Sequence, residues 1–218
     1  MINTTLDTVL IGSPQPFRED GELSAIVKDP VNDAIQLGKF GLAGNQVADL
    51  LHHGGHDKAI HLYPVEHYAF WREKYPDVEA LNSPGAFGEN FSCAGMTEDE
   101  LCLGDVFRIG KAVIQCSHGR SPCWKLNHRF GKPDVLKTVI KTTKSGSYFR
   151  VLDPGKVQAG DKIEQIERPF PNWSVSKVFR LVVGGGHIGR EDELRYLSKV
   201  AILAQSWRER AKNLSATS

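Results

Sequence analysis

Short apolar runs, broken every few residues by Gly, Pro, Asn and Asp, dominate the chain as far as Ile166. That pattern predicts many brief strands joined by tight turns. Thr8-Val9-Leu10-Ile11, Ala59-Ile60-His61-Leu62-Tyr63, Val106-Phe107-Arg108-Ile109, Ala112-Val113-Ile114-Gln115 and Lys162-Ile163-Glu164-Gln165-Ile166 are the clearest of them. With few helical periods between them, such strands favour a barrel or sandwich over a layered βαβ fold. Two helices interrupt the pattern. One is predicted over 65–75, opened by Pro64 and stopped by Pro76, with Tyr68, Trp71 and Tyr75 on one face as a core stripe. Another is predicted within 132–144, with Pro133 near its start and its end before Gly146.

After Glu167 the proline-rich stretch Arg168-Pro169-Phe170-Pro171-Asn172 predicts a boundary between residues 1–167 and a helical segment, 168–218. Ser174 is a suitable N-cap for a helix over 175–182. Further on, Leu194, Leu197, Ala201, Ala204, Trp207 and Ala211 recur at spacings of three and four, so periodicity alone predicts one long amphipathic helix. Gly184-Gly185-Gly186-His187-Ile188-Gly189 fits G-x-G-x-x-G, but too little chain follows for a second strand, and it reads as an interhelical loop. A DNA-reading helix pair is disfavoured, because Glu191, Asp192, Glu193 and Glu209 lie among the cations.

Composition narrows the classes. The 218 residues are 40% hydrophobic, enough for one good core. Lys plus Arg number 27 against 26 Asp plus Glu, and a net charge of +1 offers no global field toward nucleic acid or an anionic membrane. Any anion site must therefore be local. Cys93, Cys102, Cys116 and Cys123 form no CxxC pair, and no secretory leader or membrane span is evident, so a soluble cytoplasmic protein with reduced thiols is expected.

The densest chemistry is Gln115-Cys116-Ser117-His118-Gly119-Arg120-Ser121-Pro122-Cys123-Trp124-Lys125-Leu126-Asn127. Cys123 follows a proline and has His118, Arg120 and Lys125 nearby in sequence, which should favour its thiolate as nucleophile or soft-metal ligand. The same cations, with the N–H groups from Ser117 to Ser121, suit a phosphate-bearing cofactor beside that sulfur. Cys116, ending an apolar run, belongs to the core. His52, His53, His56, His61 and His67 allow a competing zinc reading, although no HExxH motif is present, and Gly54-Gly55 suggests a tight loop close to a ligand. In Gly88-Glu89-Asn90 the carboxylate and amide either support a turn or line a pocket.

These segments, with Gly41-Leu42-Ala43-Gly44-Asn45-Gln46, Ala86-Phe87-Gly88-Glu89-Asn90-Phe91 and Leu103-Gly104-Asp105-Val106-Phe107-Arg108-Ile109-Gly110, resemble the MOSC domain family, the fold of the molybdenum cofactor sulfurase C-terminus. Within that family the chain resembles the YiiM-type members. The resemblance implies a mainly β, barrel-like MOSC domain with a few helices and a small C-terminal three-helix unit, broken between about Lys199 and Gln205. It implies a molybdenum cofactor (Mo-molybdopterin) on Cys123, with His53, Gly54, Lys58, Gly88, Asn90, Ser117, Arg120, Ser121 and Asn127 around it and Glu89 as a catalytic carboxylate. The activity implied is reduction of N-hydroxylated compounds, such as N-hydroxylated purines. Because no flavin or iron–sulfur motif is evident, a separate flavoprotein or iron–sulfur reductase would supply electrons. A non-catalytic carrier or sensor of the cofactor is the alternative. The run departs from relatives at His118-Gly119, where Gln-Pro is common, and Gly119 is expected to loosen that loop.

Overall fold

The computed structural model describes residues 1–19, 21–50 and 54–217. Seven strands close into a mixed barrel: β1 (Asn3–Ile11), β2 (Ile60–Pro64), β3 (Phe91–Cys93), β4 (Val106–Ile109), β5 (Ala112–Gly119), β6 (Ser147–Asp153) and β7 (Lys162–Glu167). Their order around the wall is β1-β3-β2-β6-β5-β4-β7, and pairing of Thr4 with Ile163 returns β7 to β1. Neighbours run antiparallel except β2 and β3, where Leu62 faces Phe91 in parallel register. All five strands anticipated from apolar runs are present, because alternation sends one face of each inward. On β5, for example, Ile114 and Cys116 are buried, whereas Gln115 reaches out to Arg150 on β6. Leu6, Val9, Ile60, Leu62, Phe91, Phe107, Ile109, Phe149 and Ile163 fill the rest of the barrel core.

Three helices cover one side. In α1 (Glu66–Lys74), Tyr68 and Trp71 are buried, and Tyr75 continues the stripe just beyond its end. Phe87 stacks on Tyr63 at 4.0 Å between ring centroids, and Trp71 donates from Nε1 to the Tyr63 hydroxyl at 2.6 Å. The aromatic stripe is therefore core, as its spacing predicts. Helices α2 (Lys125–Phe130) and α3 (Val135–Thr142) pack Leu126, Phe130, Val135 and Val139 into the same cluster.

The chain then forms α4 (Val175–Val182), α5 (Glu191–Leu197) and α6 (Gln205–Thr217). Ser174 caps α4 by accepting from the Lys177 N–H, and the Gly184–Gly189 stretch is the loop between α4 and α5. The single long helix predicted from periodicity is replaced by two. Between them, the Ala204 N–H donates to Ser117 O on β5, and Arg150 Nη2 on β6 donates to Ile202 O at 2.7 Å. Bonds to the barrel thus take backbone groups that a continuous helix would keep for itself. Among the described residues, no helix is long and apolar enough to cross a membrane.

Gly119 is not a loose loop residue. It ends β5, and a Cβ there would lie 3.1 Å from Val175 Cγ1, 3.3 Å from Phe179 Cδ2 and 3.4 Å from the Trp207 ring. Its missing side chain lets α4 and α6 pack directly on the strand. Truncating the anchor of the other aromatic cluster should be costly: Trp71→Ala is expected to destabilise the fold by about 3–5 kcal/mol, read as a lowered urea midpoint by circular dichroism.

Candidate functional site

Where the chain leaves β5 it lays Arg120 to Lys125 across the mouth of a cavity of about 260 Å³. Its lining includes Lys28, Asn45, Gly54, Lys58, His61, Phe87, Gly88, Asn90, Arg120, Cys123 and Tyr148. A second chamber of about 870 Å³ shares Lys58, Cys123, Lys125 and Tyr148 with the first and extends toward α6. Cys123 therefore borders both spaces, and its thiol is only partly buried. Gly88, at φ +74°, brings the backbone against Ile26, whose Cγ1 would lie 2.9 Å from a Cβ. A side chain here would meet both backbone strain and a clash.

Arg120 is the electrostatic centre. Its side chain hydrogen-bonds to Tyr148, but Nη1 is buried and has no hydrogen-bond partner. Arg120 lines the cavity, and a buried guanidinium with an unmatched donor is suited to an anionic ligand, since leaving it unpaired is costly. Lys58 adds a second cation, its pKa lowered by burial against the opposing pull of Asp57 and Asp49. Lys28 donates at 2.7 Å to Asn45 Oδ1, which also accepts from Gly12 N–H and Asn90 Nδ2. Burial pushes the Lys28 ammonium down to about 8, with Glu89 pulling the other way. The His61 ring stands 3.3 Å from Ser145 O, and burial followed by Arg120 drives its pKa well below the ordinary value. His118 is likewise held neutral, its pKa lowered to about 3 chiefly by burial. It is therefore not one of the cations expected beside Cys123.

Gly54, Lys58, Gly88, Asn90, Arg120 and Cys123 meet around the inner cavity, and Ser121 lines the outer one. Three expected site residues do not line either cavity. Glu89 is fully buried: its carboxylate accepts from the Tyr68 hydroxyl, from Gly85 N–H at 2.6 Å and from Phe87 N–H at 3.1 Å. Those bonds spend it on the turn, leaving the catalytic assignment without support. Ser117 Oγ lies 2.6 Å from Asp57 O and 2.9 Å from Tyr148 O, knitting strand to loop. Asn127 bridges α2 to α3, donating to Pro133 O and accepting from Leu136 N–H.

His52 and His53 lie outside the described residues. The other histidines scatter: His67 pairs with Glu98 at 2.6 Å, His61 faces Ser145 and His56 is half-exposed. Among the described residues, no three metal-binding side chains cluster, so the zinc reading finds no support there. Lys28 and Tyr148 were not anticipated from sequence, having no motif spacing to single them out. For Lys28 the one hint was a lysine beside the apolar run Ala25-Ile26-Val27.

The MOSC domain profile matches residues 49–164. YflK of Bacillus subtilis (strain 168), itself uncharacterized, is 40% identical over 200 residues, covering 91% of this chain and 88% of its own. A protein of Gibberella moniliformis (strain M3125 / FGSC 7600) named "Reductase" is 38% identical over 164 residues, which are 74% of this chain and 29% of that protein. The crystal structure of YiiM from Geobacillus stearothermophilus superposes with a TM-score of 0.81 at 31% identity, covering 97% of this chain and 99% of that one.

Two outcomes test the electrostatics. Below pH 8 Lys28 is protonated in both folded and unfolded states. Between about 8 and about 10.4 the unfolded state binds more protons, so stability should rise with pH over that interval. In Lys28→Met the rise should shrink, as read from urea midpoints at pH 7 and pH 10. Glu89→Gln should cost about 1–3 kcal/mol through mismatched buried donors, measured by the same unfolding curves.

Proposed function

The chain belongs to the MOSC domain family, and from this we propose that it binds a molybdenum cofactor and uses it to reduce N-hydroxylated compounds, with electrons delivered by a separate reductase. The family is a molybdenum-cofactor-related one, and a reductase-named relative supports oxidoreductase chemistry. The observation that carries the proposal is the partnerless Nη1 of buried Arg120 in the cavity that Cys123 borders. An anion-seeking donor and an accessible soft sulfur share one space, which suits a ligand carrying both phosphate and a thiophilic metal.

Arg120 and Lys58 would hold the cofactor's phosphate, and the Cys123 thiolate would ligate its metal. When bound, the cofactor supplies two-electron redox chemistry and oxygen-atom acceptance. Reduction of an N–OH group consumes two electrons and two protons, breaks the N–O bond and releases water with the amine. Glu89 is committed to its turn, so the proton-holding group in the inner cavity becomes Lys28 Nζ, whose pKa of about 8 keeps it charged yet exchangeable near neutrality. Neutral His61, close to Ser145 O, helps hold the wall in place.

The test is metal and pterin analysis of protein prepared without oxygen in a host that makes the cofactor, together with reduction of an N-hydroxylated purine by a chemical electron donor. The parent is expected to carry molybdenum and turn over. Cys123→Ser should lose the metal, and Arg120→Ala should lose bound pterin by about tenfold or more. Cofactor binding without turnover would leave a carrier, and a parent lacking both metal and pterin would overturn the proposal.

A further inference from the structure

The larger chamber is walled on its far side by the C-terminal helix, which contributes Ser206, Trp207 and Arg210 opposite Cys123 and Trp124. This helix is fixed to the site. The Asp57 carboxylate, one residue before Lys58, accepts a hydrogen bond from the backbone of Gln205, the first residue of α6. Arg150 holds the same carboxylate, with Nε 2.9 Å and Nη2 2.7 Å from Oδ1. Trp207 packs edge-on against His118, with ring centroids 5.3 Å apart. The chamber wall is thus built into the loop that carries Lys58.

Three features of the chamber define its ligand. Trp124, beside the thiol, keeps 40% of its surface exposed, and Tyr148 with the edges of the buried Trp207 and His118 rings also lines the chamber. At about 870 Å³ the chamber falls within the range of ligand sites and holds more than a single fused heterocycle. Its charges are also unequal. Lys125 is paired with Glu22 at 3.2 Å, and Lys58 faces Asp57 and Asp49, but Arg210 is exposed and has no carboxylate partner among the described residues. Arg210 stands three residues after the buried Trp207, about 5–6 Å apart at Cβ on one face of α6, so the exposed cation comes from the face of the helix that lines the chamber.

We propose that this outer chamber is the substrate site, and that it takes a planar heteroaromatic ring bearing an anionic tail, as in a nucleoside monophosphate, with the ring on Trp124 and the phosphate on Arg210. This inference rests on the function proposed above but concerns binding, so it can fail separately. Arg210 acts in substrate selection and has no part in holding the cofactor.

The experiment measures binding of adenosine 5′-monophosphate and of adenosine, neither of which can be reduced, to the purified full-length protein by titration calorimetry. Parent and Arg210→Ala are compared, and turnover of an N-hydroxylated purine base is assayed in parallel. The monophosphate should bind the parent about tenfold more tightly than the nucleoside, the scale of one charge-assisted contact. Arg210→Ala should bring the two affinities together. Trp124→Ala should weaken both ligands alike. Equal affinities in the parent, or a preference that survives Arg210→Ala, would overturn the inference. An Arg210-dependent preference in a protein that reduces no N-hydroxylated compound would uphold the chamber while overturning the reductase reading.

Discussion

One guanidinium ties the barrel, the site loop and the C-terminal helices together. Arg150, on β6, donates to the Asp57 carboxylate through Nε and Nη2, to Gln115 on β5 through Nη1 and to Ile202 O in the turn between α5 and α6. The planar fork of Arg offers five N–H donors on three separate nitrogens, whereas the Lys ammonium offers three on one. Burial works to raise the Asp57 pKa, and the charge and hydrogen bond of Arg150 reverse that, leaving it below the ordinary range. The stabilised carboxylate then meets the start of α6, where unpaired N–H groups favour negative charge. Lys58, the next residue, is thereby set at the border of both cavities.

Two buried acids do the corresponding work on the opposite side. Glu89 gathers the N–H groups of the turn that precedes it, and Glu98 accepts from Ser145 N–H at 2.8 Å and from Gly146 N–H at 2.5 Å while holding His67. The Ser145–Gly146 segment then presents one carbonyl to the His61 ring and the other to Arg120 N–H. A carboxylate out of water needs several donors, and loop amides out of water need acceptors, so each requirement answers the other. This is why an acid placed next to a cavity-lining glycine need not be a catalytic one. Cations outnumber acids in the cavity lining, with Arg120, Lys58, Lys28 and Lys125 against Asp49.

The two cavities meet at the thiol. The inner one, of about 260 Å³, carries Lys28, Lys58 and Arg120 in its lining; the outer one, of about 870 Å³, carries Trp124 and Arg210. A single short segment, Arg120 to Lys125, runs between them because β5 ends at Gly119, where α4 and α6 press against the strand. The packing of the C-terminal helices and the placement of the sulfur are consequently one structural fact.

Much of this was legible in the chain. Alternating apolar runs located the barrel strands and Ser174 marked the start of α4, because each depends on local backbone preference; the Cys123 run stood out by its residue chemistry, Lys58 and Gly88 by family resemblance, and the fold brings them to one cavity. What lay outside such signals was decided by contacts distant in sequence. Apolar residues recur evenly through the α5–α6 break, so nothing local reveals that Ser117 and Arg150 would draw off its backbone groups. Glu89 and Lys28 are ordinary charged residues in sequence; one became a buried turn anchor and the other a cavity lysine only when Gly85, Tyr68 and Asn45 were brought beside them. Sequence determined which groups could bind an anion or a soft metal. Tertiary structure decided which of them remain free to do so, because burial forces every polar group to find its partner among whatever the fold places nearby.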